Sequence, residues 1–345
     1  MSSKAYSISD LISPAQLVAF NADPRDSGFN ATGVFVGDDM VQNKTDYQIK
    51  LILKHNRDGS PDRQLARHQN LMRCIKQLEE RGYSKRWDVH KLGKKEVSRL
   101  VHDWRSQGLA HRTIANRMVD IRWLAEKVGR ADQIPSNKDV GIGLRKNQDG
   151  YGENKAVAPD WEKINALPER ERLITELRVE FGLRTQEALK FQHKYASQTP
   201  GKVLLKSSWT KGGRPRDIAI TNDRQRDLLA RVERFQNNQG KHVGRGGAGR
   251  SMIPPDMRFK TYYAQYNATR HAAGVAGHEY RHHWAQQRFA QVSGGIDAPH
   301  AGGQNYRALS DEAKIRWEAA AVVVNQELGH GGGREDITAT YIGAR

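Results

Sequence analysis

Between residues 62 and 128 apolar residues recur three times at helical spacing, and this periodicity restricts the fold more than any other feature of the chain. Asp62 to Arg81 carries Leu65, Leu71, Met72, Ile75 and Leu78 on one side and stops at Gly82. Lys94 to Trp104 places Val97, Leu100, Val101 and Trp104 at i, i+3, i+4 and i+7, the stripe of an amphipathic helix. His111 to Val128 adds Ile114, Met118, Ile121 and Leu124 and ends at Gly129. The pattern predicts a small helical bundle over residues 46–130. Its polar faces carry Lys85, Arg86, Lys94, Lys95, Arg112, Arg117 and Arg122. Such charges are ordinarily a solvated face, so what they contact depends on the charge of the whole chain.

That balance is strongly basic. The 345 residues hold 56 Lys and Arg against 39 Asp and Glu, a formal charge of +17. Self-repulsion of this size opposes a compact state and points to a polyanionic partner, nucleic acid first and an anionic membrane surface second. No apolar run approaches the roughly 20 residues of a spanning helix, and the start, Met1-Ser2-Ser3-Lys4, has no secretory pattern. The single cysteine, Cys74, excludes an internal disulfide framework and suits a reducing compartment. The expectation is a cytoplasmic, nucleoid-associated protein whose basic bundle contacts DNA backbone.

Length allows two domains. Residues 131–157, with Pro135, several glycines and the polar run Lys146 to Asn154, read as a linker. Residues 1–45 read either as an arm that contacts DNA or a neighbouring subunit or as a poorly ordered tail. From 158 to 345 the pattern is mostly helical. One helix is expected from Asp160 through Leu173, Leu177 and Phe181 to a break at Gly182. Val203 to Lys206 and Asp217 to Ile220 flank the turn Thr210-Lys211-Gly212-Gly213-Arg214-Pro215-Arg216 and read as a β-hairpin. Asn222 is an N-cap for the next helix. Further helices are expected around 260–271, 278–292 and 310–328, with a polar, glycine-rich insertion at 293–309. The basic loop Gly240 to Ser251 has no Gly-Lys-Ser/Thr, so it is no phosphate-binding P-loop. The fold class is mainly α with a small β-hairpin.

Three blocks carry chemistry: Gly182-Leu183-Arg184-Thr185-Gln186-Glu187, His278-Glu279-Tyr280-Arg281-His282, and Leu328-Gly329-His330 followed by Tyr341. A phosphodiester attacked by a side chain needs fixed cations for the charge that grows on its non-bridging oxygens. Arginine suits this, because its planar fork spans two oxygens and stays protonated. A nucleophile, a base and an acid complete the set. The chain offers Arg184 and Arg281 as forks, Tyr341 as nucleophile, Lys211 at the hairpin tip, and His278 and His330 for proton handling. Each residue also has an ordinary reading: Arg184 pairing with Glu187, Lys211 in solvent, His330 at a helix stop. His278, His282 and His283 have the spacing of metal ligands, but one cysteine and a single nearby acid, Glu279, argue against a metal. The ordered combination favours the phosphoryl-transfer reading.

In that order the blocks resemble the tyrosine recombinase (phage integrase) family, most closely over 160–345. The resemblance implies a two-domain clamp around double-stranded DNA, with a helical core-binding domain and a mixed α/β catalytic domain. It implies that Arg184 and Arg281 hold the scissile phosphate, supported by Glu187, and that His330 bonds to it. Lys211 protonates the leaving 5′ oxygen, His278 assists proton transfer, and Tyr341 forms a 3′-phosphotyrosine. No metal, ATP or other cofactor is implied, and Arg214 joins the DNA contacts. The implied assembly is a tetramer on two DNA sites, with accessory DNA-bending proteins as further partners. A type IB-like topoisomerase, a telomere resolvase and a non-catalytic DNA-binding regulator of the same fold are the alternatives. Tyr280 stands where the family usually has leucine, the stretch from Arg281 to His330 is long, and only Ile342 to Arg345 follow the tyrosine. Residues 1–45 are then a candidate for the subunit coupling that a C-terminal helix supplies in many relatives.

Overall fold

A computed structural model describes residues 44–142, 153–239, 251–331 and 333–343. Nearly all of the expected N-terminal arm, the middle of the linker and most of the loop from Gly240 lie outside the described residues. The chain divides into two compact units between residues 148 and 149.

The first unit holds α1 (Lys44–His55), α2 (Pro61–Glu80), α3 (Lys94–Ser106) and α4 (His111–Lys127). Ser60 caps α2 by accepting the Arg63 N–H, with Pro61 in the first turn where its missing N–H costs nothing. The stripes of α3 and α4 are buried as their spacing requires. Leu65 on α2 departs from expectation and is 47 % exposed. At this level α2 turns Arg67 inward instead, its guanidinium 4.1 Å over the Trp123 ring and its Nε 3.6 Å from Asp120. Asp120, buried on α4, also accepts from Arg63 and Asn70, so a carboxylate inside the bundle dictates a polar face there. Ile134, Val140 and Ile142, from the 131–157 stretch, pack on this core.

In the second unit the expected long helix from Asp160 is two helices, α5 (Trp161–Asn165) and α6 (Glu169–Phe181). Pro168 separates them, because it lacks an N–H and disfavours helical backbone at Leu167. Then come α7 (Thr185–Lys190), α8 (His193–Ala196), β1 (Lys202–Leu205) and β2 (Arg216–Ala219). The strands pair antiparallel with Val203 opposite Ile218, and Val203, Leu205 and Ile218 face the core. Next are α9 (Asp223–Asn237, capped by Asn222), α10 (Phe259–Ala272), α11 (Glu279–Val292), α12 (Asp311–Glu327) and α13 (Glu335–Tyr341). The expected insertion becomes two short 3-10 turns, at Pro299–Ala301 and Tyr306–Ala308.

Two chain reversals set up the site. Gly182 ends α6 with φ +58°, and a Cβ there would sit 2.5 Å from Trp284 Cε3. Only glycine fits both the backbone and the ring, and its reversal delivers Arg184 to the start of α7. Gly329, with φ +75°, ends α12, and a Cβ on it would lie 3.0 Å from Arg216 Nη1. This tight turn brings His330 back beside the strands.

Candidate active site

Glu187, fully buried in the first turn of α7, is the organising acid. Its carboxylate accepts the Arg184 backbone N–H at 2.8 Å and Arg184 Nη1 at 2.9 Å. It also takes both ends of the Arg216 fork, at 2.9 and 2.7 Å. Burial pushes its pKa up, but the hydrogen bonds and charge of Arg216, with Arg281 and Arg184 behind, hold it down at about 2. Arg281, from the first turn of α11, is 1 % exposed. Its Nη1 and Nη2 donate to the carbonyls of Gly182 and Leu328, at the two reversals, and Glu187 lies 4.0 Å away. Burial first, and then Arg184, lower its pKa to about 10, so it remains a cation at neutral pH. Three guanidiniums thus share one carboxylate in a dry setting. Interior charges are ordinarily paired, so this excess of positive charge has the chemistry to accept an anion.

Tyr341 closes the group. The short helix α13 that carries it is fixed by Asn325 Nδ2 donating to Thr338 Oγ1 at 2.7 Å and Gln286 Nε2 donating to the Tyr341 carbonyl at 3.2 Å. Its hydroxyl lies 3.3 Å from Arg281 Nε and 3.1 Å from His278 Nε2. Arginine can only donate, so that contact uses a phenolic lone pair and leaves the phenolic proton free to point at His278. The same rule applies to His330, whose Nε2 is 3.1 Å from Arg184 Nη2 and so accepts from it. His282 lies against the Tyr341 ring, centroids 4.4 Å apart and planes tilted 30°. His278, His282 and His330 each have a pKa lowered to about 4, by burial first and then by neighbouring cations, Arg281 among them in every case. All three are neutral at physiological pH, and His278 Nε2 in the Nδ1–H tautomer can take a proton.

These shifts give the DNA-free protein a signed pH dependence. An unfolded histidine takes up its proton near 6.5, whereas these three resist until about 4. Inside that window the unfolded chain binds more protons, so stability falls as pH falls and is level above it. Thermal melts should show Tm declining from about pH 6.5 towards 4, and a Tm that rises on acidification through this range would contradict the assignment.

Lys211 is exposed in the β1–β2 turn and lines, with Arg184 and His278, a cleft of about 550 Å³. No side-chain bond ties it to Tyr341. Arg214 is exposed in the same turn, with its Nη1 3.7 Å from where a Gly331 Cβ would lie. In the first unit Lys85, Arg86, Lys94, Lys95 and Arg112 are exposed. Arg122 is instead engaged internally, donating to the Pro135 carbonyl at 3.2 Å and Asn137 Oδ1 at 2.8 Å. Arg117 is half-buried, 5.2 Å over the Trp104 ring. Among the described residues no group of three or more His, Cys, Asp or Glu is placed to hold a metal ion, and no helix is long and apolar enough to cross a membrane. Sequence reasoning passed over Arg216. The signal was there in strand periodicity, since Arg216 is two residues before buried Ile218 and so shares its inward face.

Residues 157–287 match the family model described as Integrase, and residues 43–134 match the one described as Phage integrase, N-terminal. No curated protein matches the chain. Among solved structures, the fold is similar to the Tn1549 transposon integrase in complex with circular intermediate DNA, at 13 % identity and a TM-score of 0.51, covering 86 % of this chain and 94 % of that one. It is also similar to the XerH site-specific recombinase bound to difH substrate in a pre-cleavage complex, at 15 % identity and a TM-score of 0.50, covering 86 % and 81 %.

Proposed function

We propose that this chain, which belongs to the phage integrase (tyrosine recombinase) family, is a site-specific DNA recombinase that cuts and rejoins strands through a 3′-phosphotyrosine intermediate. The observation that carries this reading is the Tyr341 hydroxyl, held between a buried arginine that can only donate and a neutral imidazole that can accept. Arg184 and Arg281 take the non-bridging oxygens of the scissile phosphate, and Glu187 with Arg216 keeps Arg184 aimed. His278 Nε2 receives the phenolic proton as the phenolic oxygen bonds to phosphorus. The bond from phosphorus to the 5′ oxygen breaks, and Lys211 supplies that oxygen with its proton. His330 bonds to the phosphate. Rejoining runs the same steps backwards, with the 5′ hydroxyl of another strand as nucleophile. Every charge and proton has a side-chain partner, so the scheme is drawn without metal or ATP.

The helical unit grips the duplex mainly through phosphates, with exposed Lys85, Arg86, Lys94, Lys95 and Arg112 as its contacts and a few base contacts setting sequence preference. The DNA-bound state of both structural relatives supports double-stranded DNA as the partner. Assembly is a tetramer on two sites.

The test is to trap the intermediate on a library of nicked duplexes, in which the strand freed by cleavage diffuses away. Sequencing the captured DNA gives the junction, and peptide mapping should place it on Tyr341 through a 3′ phosphate. A 5′ linkage, or attachment to another residue, would overturn the scheme. Products from supercoiled and two-site DNA then separate recombination from relaxation or hairpin formation.

A further inference from the structure

Arg178 is a buried cation that the reaction scheme leaves unused. It lies on α6, one turn before Gly182, and is 3 % exposed. Its Nη1 donates to the Tyr266 hydroxyl at 3.0 Å, and that hydroxyl is itself 3.0 Å from Thr175 Oγ1. Its Nε has no hydrogen-bond partner, and among the described residues no carboxylate lies within 4.0 Å of it. Burying an unpaired guanidinium is unfavourable, and the arrival of an anion would offset that cost. The neutral Tyr266 and Thr175 hydroxyls hold the side chain in place without cancelling its charge.

Its surroundings indicate which anion. Arg178 lines the same cleft as Arg184, Lys211, Lys260, Arg270 and His278. The one acid in that lining is Glu187, whose oxygens are already taken by Arg184 and Arg216. Arg270 also presents a buried Nε with no partner. We propose that Arg178 forms a second phosphate subsite, which binds a phosphodiester flanking the scissile one on the cleaved strand and so fixes the strand's register in the cleft. The proposal rests on the recombinase reading, with Arg178 acting on position and charge and not on the reacting atoms.

The experiment uses the full chain with Tyr341→Phe, so that cleavage is silent, on a duplex carrying the captured junction. Single methylphosphonates, which remove one phosphate charge, are placed at each position flanking the scissile phosphate. Arg178→Met should weaken binding to unmodified DNA and cause no further loss at one flanking position, where protein and DNA changes remove the same contact. Additive losses at every position, or Arg178→Met binding as tightly as its parent, would overturn the subsite. Melting curves check that the methionine variant folds; if it does not, Arg178→Lys serves in the same cycle, its shorter side chain expected to reduce the coupling at that position. Should trapping return no junction, the recombinase reading is what has failed. A second arm then still tests Arg178 on a short duplex of arbitrary sequence, where one lost phosphate contact lowers the slope of log K against log salt by about 0.9 and an unchanged slope counts against the subsite.

Discussion

Tyr341→Phe is expected to abolish covalent protein–DNA adducts while duplex binding persists. Phenylalanine keeps the ring that lies against His282 and fills the same buried space, so α13 retains its seat. What goes is the oxygen between His278 Nε2 and Arg281 Nε. In the DNA-free protein that loss leaves Arg281 Nε without its acceptor, a cost of about 1–3 kcal/mol and a lower Tm. DNA offsets the cost, because a phosphate oxygen can take the vacated donor. The variant should therefore bind the junction duplex at least as well as wild type and gain more thermal stability from it. Adducts that survive the substitution would move the nucleophile elsewhere. Loss of binding together with adducts, at an unchanged Tm, would mean the phenol serves to hold DNA and not to attack it.

How much of this was legible beforehand follows from what each signal depends on. Helical stripes are local, and the burial of Val97, Leu100, Val101 and Trp104 was readable from spacing alone. Leu65 departs from its stripe because its exposure is decided by Asp120, fifty-odd residues away in sequence but adjacent across the bundle. The split at Pro168 is written in the backbone chemistry of proline but masked by the helical spacing of the apolar residues on either side. The blocks containing Arg184, Arg281, His330 and Tyr341 were found through their order, and the fold brings all four into one group. Arg216 and Arg178 lie outside those blocks. Arg216 could be found from the inward face of a strand. Arg178 could not, because its meaning is an absence of partners, which only three-dimensional neighbours reveal. Arg122 shows the converse: its charge is visible in sequence, but the Pro135 carbonyl to which it donates is not.

Arg281→Lys is the second large effect, and it tests whether shape or charge matters at the centre. The guanidinium spans three directions at once, reaching the Gly182 carbonyl, the Leu328 carbonyl and the Tyr341 oxygen. A lysine ammonium keeps the positive charge on a compact head that cannot span that fork. Cleavage of the nicked junction should fall by about 10²–10³-fold, the scale for losing one fixed donor to a developing oxyanion. Arg281→Ala should fall at least as far, with an added loss of stability because two buried carbonyls lose their donors. A substrate with sulfur in place of the bridging 5′ oxygen separates this defect from one in the leaving group, since a departing thiolate needs no proton. That substrate should restore cleavage to Lys211→Ala and leave Arg281→Lys slow. If it rescues both, Arg281 also acts on the leaving oxygen, and if it leaves Lys211→Ala slow, Lys211 is not the acid. If Arg281→Lys cleaves unmodified DNA at the wild-type rate, fixed fork geometry contributes nothing, and the buried cluster serves only to hold α6, α11 and α12 together.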